Sequence, residues 1–309
     1  MKLALLVLCC ALLAPAAHAT ESSAASHPLL ALARELETSR ERDLQPDHDA
    51  PDLRSAEHAL SQAHAPTDAD CARRLGASVF AELHSEVAAA RSAQGDFAGA
   101  AQAYRHALAC TPRSARVLHN LADALFNARD FAGAGEFVRR ALEINPRAVY
   151  ITVLAGNIDF VAGQWANAMS RYRYAAASEP DRTRAAYWQL MYWLTQARAG
   201  VAQPEFVARR HAEGWPKPLL LYLQDQYSEA ELVTAVREGE DEYSDRGRDE
   251  RLCEALYYVG EAYLARGEAE VAREYFAAAV NIKMIRFNEH GLALAEIARM
   301  SAPAVQRAR

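Results

Sequence analysis

A period of 34 residues constrains the fold of this 309-residue chain more than any other feature. The segments Gly95-Asp96-Phe97, Arg129-Asp130-Phe131 and Gly163-Gln164-Trp165 follow one another at that spacing, and each ends in an aromatic residue. Further columns keep the same phase: Ala100, Ala134 and Ala168; Tyr104, Val138 and Tyr172; Ala107, Ala141 and Ala175; Pro112, Pro146 and Pro180. Columns in phase indicate a repeated structural unit. Such a unit cannot bury its apolar face alone, so its copies must stack.

The residue types in these columns resemble those of the tetratricopeptide repeat, a helix-turn-helix unit. The glycine or arginine and the polar residue after it turn the chain between two antiparallel helices, and the alanines let those helices approach closely. The proline follows the second helix because it lacks the backbone N–H that a helix interior requires. The sequence therefore predicts an all-α fold, in which helix pairs form a superhelical α-solenoid.

The register of the repeat predicts the organisation of the whole chain. In chain order, the predicted segments are a cleaved signal peptide at 1–19, an N-terminal extension with helices and loops at 20–80, a repeat array at 81–199 with units 81–114, 115–148 and 149–182 and a degenerate copy at 183–199, an irregular linker with short helices at 200–251, and a further repeat with a capping helix at 252–309.

The first 19 residues have the layout of an export signal. Lys2 precedes an apolar run, and Ala17-His18-Ala19 forms a small-x-small cleavage site. We expect a periplasmic mature protein that begins at Thr20, and no membrane span, because the apolar run is too short to cross a bilayer. A lipid anchor on Cys9 or Cys10, or a buried N-terminal helix, is the alternative.

The net charge bears on the kind of partner, and the cysteines bear on whether the chain forms disulfides. A net charge of −6 argues against nucleic acid as a main partner. The predicted mature chain keeps Cys71, Cys110 and Cys253, and an odd number at wide spacing is not the pattern of a disulfide framework. Buried free thiols are therefore expected, although an exported protein can form disulfides.

The C-terminal third carries further motifs, "WP", "LYL", "LCEALYYVGEAYL" and "NEHGLALAEI". Their distinguishing residues are Trp215, Pro216, Tyr222, Tyr258, Gly260, Gly267, Phe276, Glu289 and His290. Together with the repeat layout, these motifs resemble the NlpI-type family of envelope proteins. That resemblance implies a homodimeric adaptor that brings a processing protease together with peptidoglycan hydrolases. Members of that family are typically lipid-anchored, and the export signal of this chain departs from that pattern.

The sequence contains no signature of catalysis or of cofactor binding. It lacks a phosphate-binding loop with Gly-Lys-Ser/Thr, a Gly-x-Ser-x-Gly elbow and a His-Glu-x-x-His helix. The acidic loop around His48 and Asp52 lacks the glycine and the glutamate of a calcium loop, so we interpret it as solvated. We therefore predict no enzymatic activity, no cofactor and no bound metal. An active site at Glu289 and His290 is the alternative.

The candidate site is instead a surface. In tetratricopeptide repeats the first helix of each pair lines a groove. The residues predicted to bind a protein or peptide there are Arg116, His119, Asp123, Tyr150, Asn157, Phe160 and Tyr187. Aromatic side chains mixed with single polar groups suit an extended peptide or a partner helix. The alternative is that Phe160 and Tyr187 only pack between repeats.

These observations predict a scaffold. We expect an exported adaptor that docks other proteins, such as an envelope protease or a cell-wall hydrolase, and raises their effective concentration for one another. An accessory subunit of an envelope secretion or polysaccharide-export assembly is the alternative. Arg116 and Tyr150 occupy the same position of adjacent units and are expected to share one bound segment. The apolar face from Leu29 to Leu36 has no partner in the repeat register and is predicted to lie at a dimer interface.

Overall fold

The computed structural model describes residues 27–40, 52–67, 69–201, 214–238, 244–285 and 287–301. These residues form α-helices and one 3-10 helix, Ala69–Arg73, and contain no strand. The predicted signal peptide and the candidate lipid-anchor cysteines lie outside the described residues. The helices are α1 (Pro28–Arg40), α2 (Leu53–Ala63), α3 (Ala77–Ala93), α4 (Phe97–Cys110), α5 (Ala115–Asn127), α6 (Phe131–Ile144), α7 (Val149–Val161), α8 (Trp165–Ser178), α9 (Arg182–Arg198), α10 (Lys217–Leu223), α11 (Glu229–Glu238), α12 (Ser244–Ala265), α13 (Ala269–Asn281) and α14 (Asn288–Ser301).

The array runs from α3 to α9, and each of these helices packs against the next. The pairs α3–α4, α5–α6 and α7–α8 each span one 34-residue period, and α12–α13 repeat the arrangement near the C-terminus. The alanines of the repeat columns are fully buried between the helices. The fold is therefore the all-α solenoid of helix pairs that the sequence predicted.

The turn inside each unit explains the first column of the repeat. Gly95 has a φ of 79°, in the left-handed region that glycine enters without strain. Arg129 occupies the same position of the next unit and has a φ of 66°. This left-handed conformation is unfavourable for a residue with a Cβ, so it lowers the stability of the folded state. The residue that follows caps the second helix, since the Asp130 carboxylate accepts a hydrogen bond from the N–H of Gly133 at 2.9 Å. Asp96 makes the same cap in the first unit.

The two helices of a unit approach closely where a glycine on the first helix faces a large aromatic ring on the second helix, 16 positions later in the sequence. A Cβ added to Gly156 would lie 3.0 Å from the ring of Tyr172, and one added to Gly260 would lie 2.9 Å from the ring of Phe276. Tyr172 and Phe276 are completely buried. The glycines therefore provide the space into which these rings pack.

The C-terminal repeat folds back onto the array. Helix α12 packs against α9, and α14 packs against α7. A Cβ added to Gly291, in the first turn of α14, would lie 3.2 Å from Oδ1 of Asn127 at the end of α5. A Cβ at Gly95 would likewise lie 3.1 Å from the side chain of Ile285. The segment that leads into α14 therefore covers the turn ends of the first two units.

Helix α1 packs on the C-terminal helices of its own chain. Leu29, Leu32 and Leu36 are all at most 6% exposed, and α1 contacts α11, α12 and α13. The carboxylate of Glu229 accepts a hydrogen bond from the N–H of Leu29 at 2.9 Å, at the start of α1. The apolar face that was predicted to be open for a dimer is thus covered within the chain, so it gives no reason for a dimer interface at α1.

The cysteines correct one prediction. Cys71 and Cys110 form a disulfide between the 3-10 helix and the end of α4, with their Cα atoms 4.5 Å apart. They are 39 residues apart in sequence, and the α3–α4 hairpin returns the chain to the 3-10 helix, so the expectation of free thiols is wrong for this pair. Cys253 is buried in α12 and keeps its thiol, as expected.

Among the described residues no helix is both long enough and apolar enough to cross a membrane.

Candidate protein-binding site

The exposed part of the predicted site lies on the side of the array formed by α3, α5 and α7, which we call the A-helix face. Arg116 is near the start of α5, is exposed, and forms an ion pair with Glu82 of α3. Tyr150 is near the start of α7 and is 47% exposed. Arg116 and Tyr150 occupy equivalent positions of adjacent helices, but the charged partner of Arg116 is Glu82 and the ring partner of Tyr150 is His119.

His119 lies one turn after Arg116 on α5 and is half-buried. Its ring meets the ring of Tyr150 edge to face, with centroids 4.7 Å apart and planes at 84°. Burial lowers the pKa of His119 to about 4, so the imidazole is neutral at neutral pH. Its Nδ1 atom is buried and has no hydrogen-bond partner among the described residues.

Asp123 follows one turn further along α5 and is partly exposed. Its carboxylate accepts a long hydrogen bond, 3.4 Å, from the amide of Asn127. Burial raises the pKa of Asp123 to about 6, because it removes water from a carboxylate that forms no ion pair with any cation in the described ranges. The pKa of the neighbouring Tyr104 hydroxyl is raised to about 12. Burial is the main cause, and repulsion from the negative charge of Asp123 adds to it.

Two of the predicted site residues are not on the accessible surface. Asn157 is 3% exposed, and its side-chain oxygen accepts a hydrogen bond of 2.8 Å from the hydroxyl of Tyr172. Phe160 is 1% exposed and meets Trp165 edge to face, with centroids 5.3 Å apart. Both positions point into the packing of α7 against α8, so the structure does not place them at a surface where a partner could bind.

Tyr187 belongs to the contact between the array and the C-terminal repeat. Its hydroxyl donates to both carboxylate oxygens of Glu254 in α12, at 2.9 and 3.2 Å. The indole N–H of Trp215 donates to the same carboxylate at 2.5 Å. Burial raises the pKa of Glu254 well above its ordinary value. Tyr187 is therefore engaged within the chain, and the accessible part of the predicted site is limited to Arg116, His119, Asp123 and Tyr150.

A buried ion-pair cluster lies behind this contact and was not predicted. Arg198 of α9 is 3.4 Å from the carboxylate of Glu296 in α14 and 2.5 Å from that of Glu261 in α12. The guanidinium of Arg198 also stacks over the rings of Phe160 and Trp165. The sequence offered one signal for this cluster, which is that glutamates occur inside apolar helices. A buried carboxylate without a partner destabilises the folded state, so such glutamates indicate buried cations.

A separate cavity of about 330 Å³ lies between α6 and α7 and is bordered by α8. Its floor is apolar, and the charged residues at its rim pair with each other, Arg139 with Glu143 and Arg171 with Asp159. Because these charges are already compensated, the cavity presents no unsatisfied group that would select a ligand.

Within the ranges that the structure describes, no group of three or more His, Cys, Asp and Glu side chains is arranged to hold a metal ion. Glu289 and His290, the catalytic alternative, are buried in α14, and the Glu289 carboxylate accepts a hydrogen bond from the hydroxyl of Tyr258 at 3.2 Å. This contact joins α12 to α14 and gives the pair a packing role. Of the acidic loop around His48, only Asp52 lies within the described residues, and it caps α2.

Residues 92–155 match the family model of the tetratricopeptide repeat. Among solved structures, YrrB, described as a TPR protein with an unusual peptide-binding site, is 14% identical, with 79% of this chain and 97% of that chain covered and a TM-score of 0.36. Two structures of MamA are 15% and 16% identical, with 68% and 64% of this chain and 93% and 94% of those chains covered and TM-scores of 0.33 and 0.30. These scores are too low to inform the function of this chain. No curated protein matches it.

The fold and the exposed A-helix face define a helical-repeat protein of the kind that binds other proteins. Because residues 92–155 match the tetratricopeptide-repeat model, protein or peptide partners are the expected ligands. The resemblance to the NlpI-type family stays a prediction.

Proposed function

We propose that this chain is a non-catalytic, exported scaffold of the bacterial cell envelope that binds partner proteins on its A-helix face. The observation that carries the binding proposal is the strip formed by Arg116, His119, Asp123 and Tyr150, where polar and aromatic groups alternate on a surface that the C-terminal repeat leaves uncovered. Such mixed aromatic and charged groups are typical of positions that contribute most to binding energy.

Export is supported by two features that are independent of each other. The N-terminal sequence has the layout of a signal peptide. The Cys71–Cys110 disulfide fits an oxidising compartment such as the periplasm. N-terminal sequencing of the exported protein should give Thr20 as its first residue. A diacylglyceryl-modified Cys9 or Cys10 would contradict this and indicate a lipid anchor instead.

The adaptor mechanism requires that two partners dock at once, because co-localisation raises their effective concentration for one another. We propose an envelope protease and a cell-wall hydrolase as the partners, following the resemblance to NlpI-type adaptors. The proposal of a homodimer now has only that resemblance as support, since the apolar face of α1 is covered within the chain. Light scattering at micromolar concentration measures the oligomeric state directly.

Binding on the A-helix face is tested by cross-linked capture from envelope extracts with three forms of the protein. The wild type is compared with the double variant Arg116→Ala/Tyr150→Ala and with Arg113→Ala/Tyr174→Ala, which removes the same side-chain types from exposed positions elsewhere. A partner of this face is captured by the wild type and the control and is lost with the first variant, with helical content unchanged. Capture that all three forms share equally would place the binding surface elsewhere. Partners identified as secretion or export components would favour the assembly-subunit alternative.

A further inference from the structure

Asp123 is a carboxylate for which the described structure provides no cation. Its hydrogen-bond donor is the neutral amide of Asn127, at 3.4 Å, and no ion pair with a described residue includes it. Arg116, two turns earlier on the same helix, is the nearest basic residue of α5, and it pairs with Glu82 of α3. A partly buried carboxylate without a counter-charge lowers the stability of the folded state, and a cation supplied by a ligand would offset that cost.

The charges around Asp123 also favour a basic ligand. Glu82 and Glu86 of α3 and Asp123 of α5 are acidic, and Arg116 is the basic residue among them. Because Arg116 and Glu82 compensate each other, Glu86 and Asp123 leave this part of the A-helix face negative. His119 adds no positive charge, since its pKa is lowered to about 4. Complementary charge both steers a ligand and excludes ligands of the wrong sign.

The positions equivalent to Asp123 in the adjacent units present no exposed side chain that would compete for its carboxylate. In the preceding unit the position equivalent to Asp123 is Ala89, whose methyl group is short and partly exposed. The position equivalent to Asp123 in the following unit is Asn157, which is buried and bonded to Tyr172, so it does not compete for the ligand. The rings of His119 and Tyr150 stand one turn or more away along the same face and can flank the alkyl stem of a long side chain.

The start of α14 closes the far end of this strip. Gly291 lies against Asn127, the residue that donates to Asp123. A bound segment that runs along α5 from Arg116 therefore reaches Asp123 as the last accessible group before the chain's own C-terminal helix. Asp123 is thus placed to receive one side chain and to fix the register of the segment.

We propose that the A-helix face binds an extended partner segment that places a lysine or arginine side chain on the carboxylate of Asp123. This inference rests on the proposed binding function and names its chemistry. The ligand is basic at this position, because the ammonium or guanidinium group supplies the charge that the described residues do not.

The test uses blocked heptapeptides of the sequence Gly-Ser-Tyr-X-Tyr-Ser-Gly, in which X is lysine, glutamate or norleucine, titrated into the full protein at neutral pH and followed by NMR. The lysine peptide should bind at least about tenfold more tightly than the norleucine and glutamate peptides, which corresponds to one charge-assisted hydrogen bond. In Asp123→Asn this preference should disappear. The substitution keeps the shape of the side chain and removes a desolvated charge, so the variant should fold at least as stably as the wild type.

The matched control is Glu136→Gln, which removes one negative charge from an exposed position of α6. It should keep the preference for lysine, which separates a contact at Asp123 from a general effect of net charge. Equal affinities for lysine and glutamate, a preference that survives Asp123→Asn, or the absence of lysine-peptide binding up to about 1 mM would overturn the inference. If captured partners are lost with Arg116→Ala/Tyr150→Ala but retained with Asp123→Asn, the proposed function stands and this inference alone fails.

Discussion

Replacing Arg198 by methionine should be among the most damaging single changes that the structure suggests. The Arg198 side chain is 6% exposed, and its carboxylate partners, Glu261 and Glu296, are 0% and 3% exposed. Removing one member of a buried charge pair leaves an uncompensated charge and typically costs about 3–5 kcal/mol. Since the whole stability of a domain is only about 5–15 kcal/mol, this is a large fraction.

The substitution should first destabilise the helices that contact Arg198 and only then the whole chain, because each stacked repeat is stabilised mainly by its neighbours. Arg198 joins α9 to α12 and α14, so amide hydrogen exchange should rise in those helices first. Urea unfolding followed by circular dichroism gives the total cost. The control is Arg139→Met, which breaks an ion pair with Glu143 whose side chains are 65% and 61% exposed and should cost less than about 1 kcal/mol. A cost for Arg198→Met no larger than that of the control would refute the reasoning.

The pH dependence provides a second test of the same cluster. Burial raises the pKa of Glu261 to about 7, although Arg198 opposes the shift. An acid whose pKa is higher in the folded state binds its proton more tightly there, so its contribution to stability is present at low pH and is lost as pH rises from about 4.5 to about 7. In Arg198→Met only the weaker attraction of Arg299 still opposes the shift, and the cost of the substitution should therefore be larger at pH 8 than at pH 5. The triple variant Arg198→Met/Glu261→Gln/Glu296→Gln should recover much of the stability, because it leaves no buried charge.

The remaining predictions concern the repeat itself. Gly156→Ala should destabilise the protein by about 1–2 kcal/mol in urea unfolding, because the added methyl group lies 3.0 Å from the ring of Tyr172 and this overpacking exceeds the gain of about 0.5–1 kcal/mol that alanine brings inside a helix; an unchanged or higher midpoint would show that the ring can move aside. Arg129→Gly should stabilise it by about 0.5–1 kcal/mol by relieving a φ of 66°, and a lower melting temperature would contradict this account of the turn. Cys71→Ser/Cys110→Ser should lower the free energy of unfolding by about 3–4 kcal/mol, because the unfolded chain is no longer closed into a loop between residues 39 apart. A change near zero would argue that the disulfide does not form.

The sequence by itself determined the repeat, because everything that defines the repeat is local. A left-handed turn, an aspartate cap and a proline after the second helix act over a few residues, so the helix pairs could be located from the columns around Gly95 and Pro112. The exposed site residues Arg116 and Tyr150 followed from the same register. The 34-residue period places equivalent positions on adjacent helices whatever the rest of the chain does.

Only the tertiary structure decided which of the equivalent positions remain open. Asn157 and Phe160 are covered by the packing of α7 against α8. Tyr187 is covered because the C-terminal repeat returns to α9, through its contact with Glu254, which is 67 residues away in sequence. The position of α1 depends on a contact between Leu29 and Glu229 across 200 residues. No local pattern encodes such pairings, because they depend on the curvature that accumulates along the stacked helices and brings distant segments together. The repeat therefore defines the A-helix face, and the packing of α7 on α8 together with the fold-back of the C-terminal helices limits the accessible site to Arg116, His119, Asp123 and Tyr150.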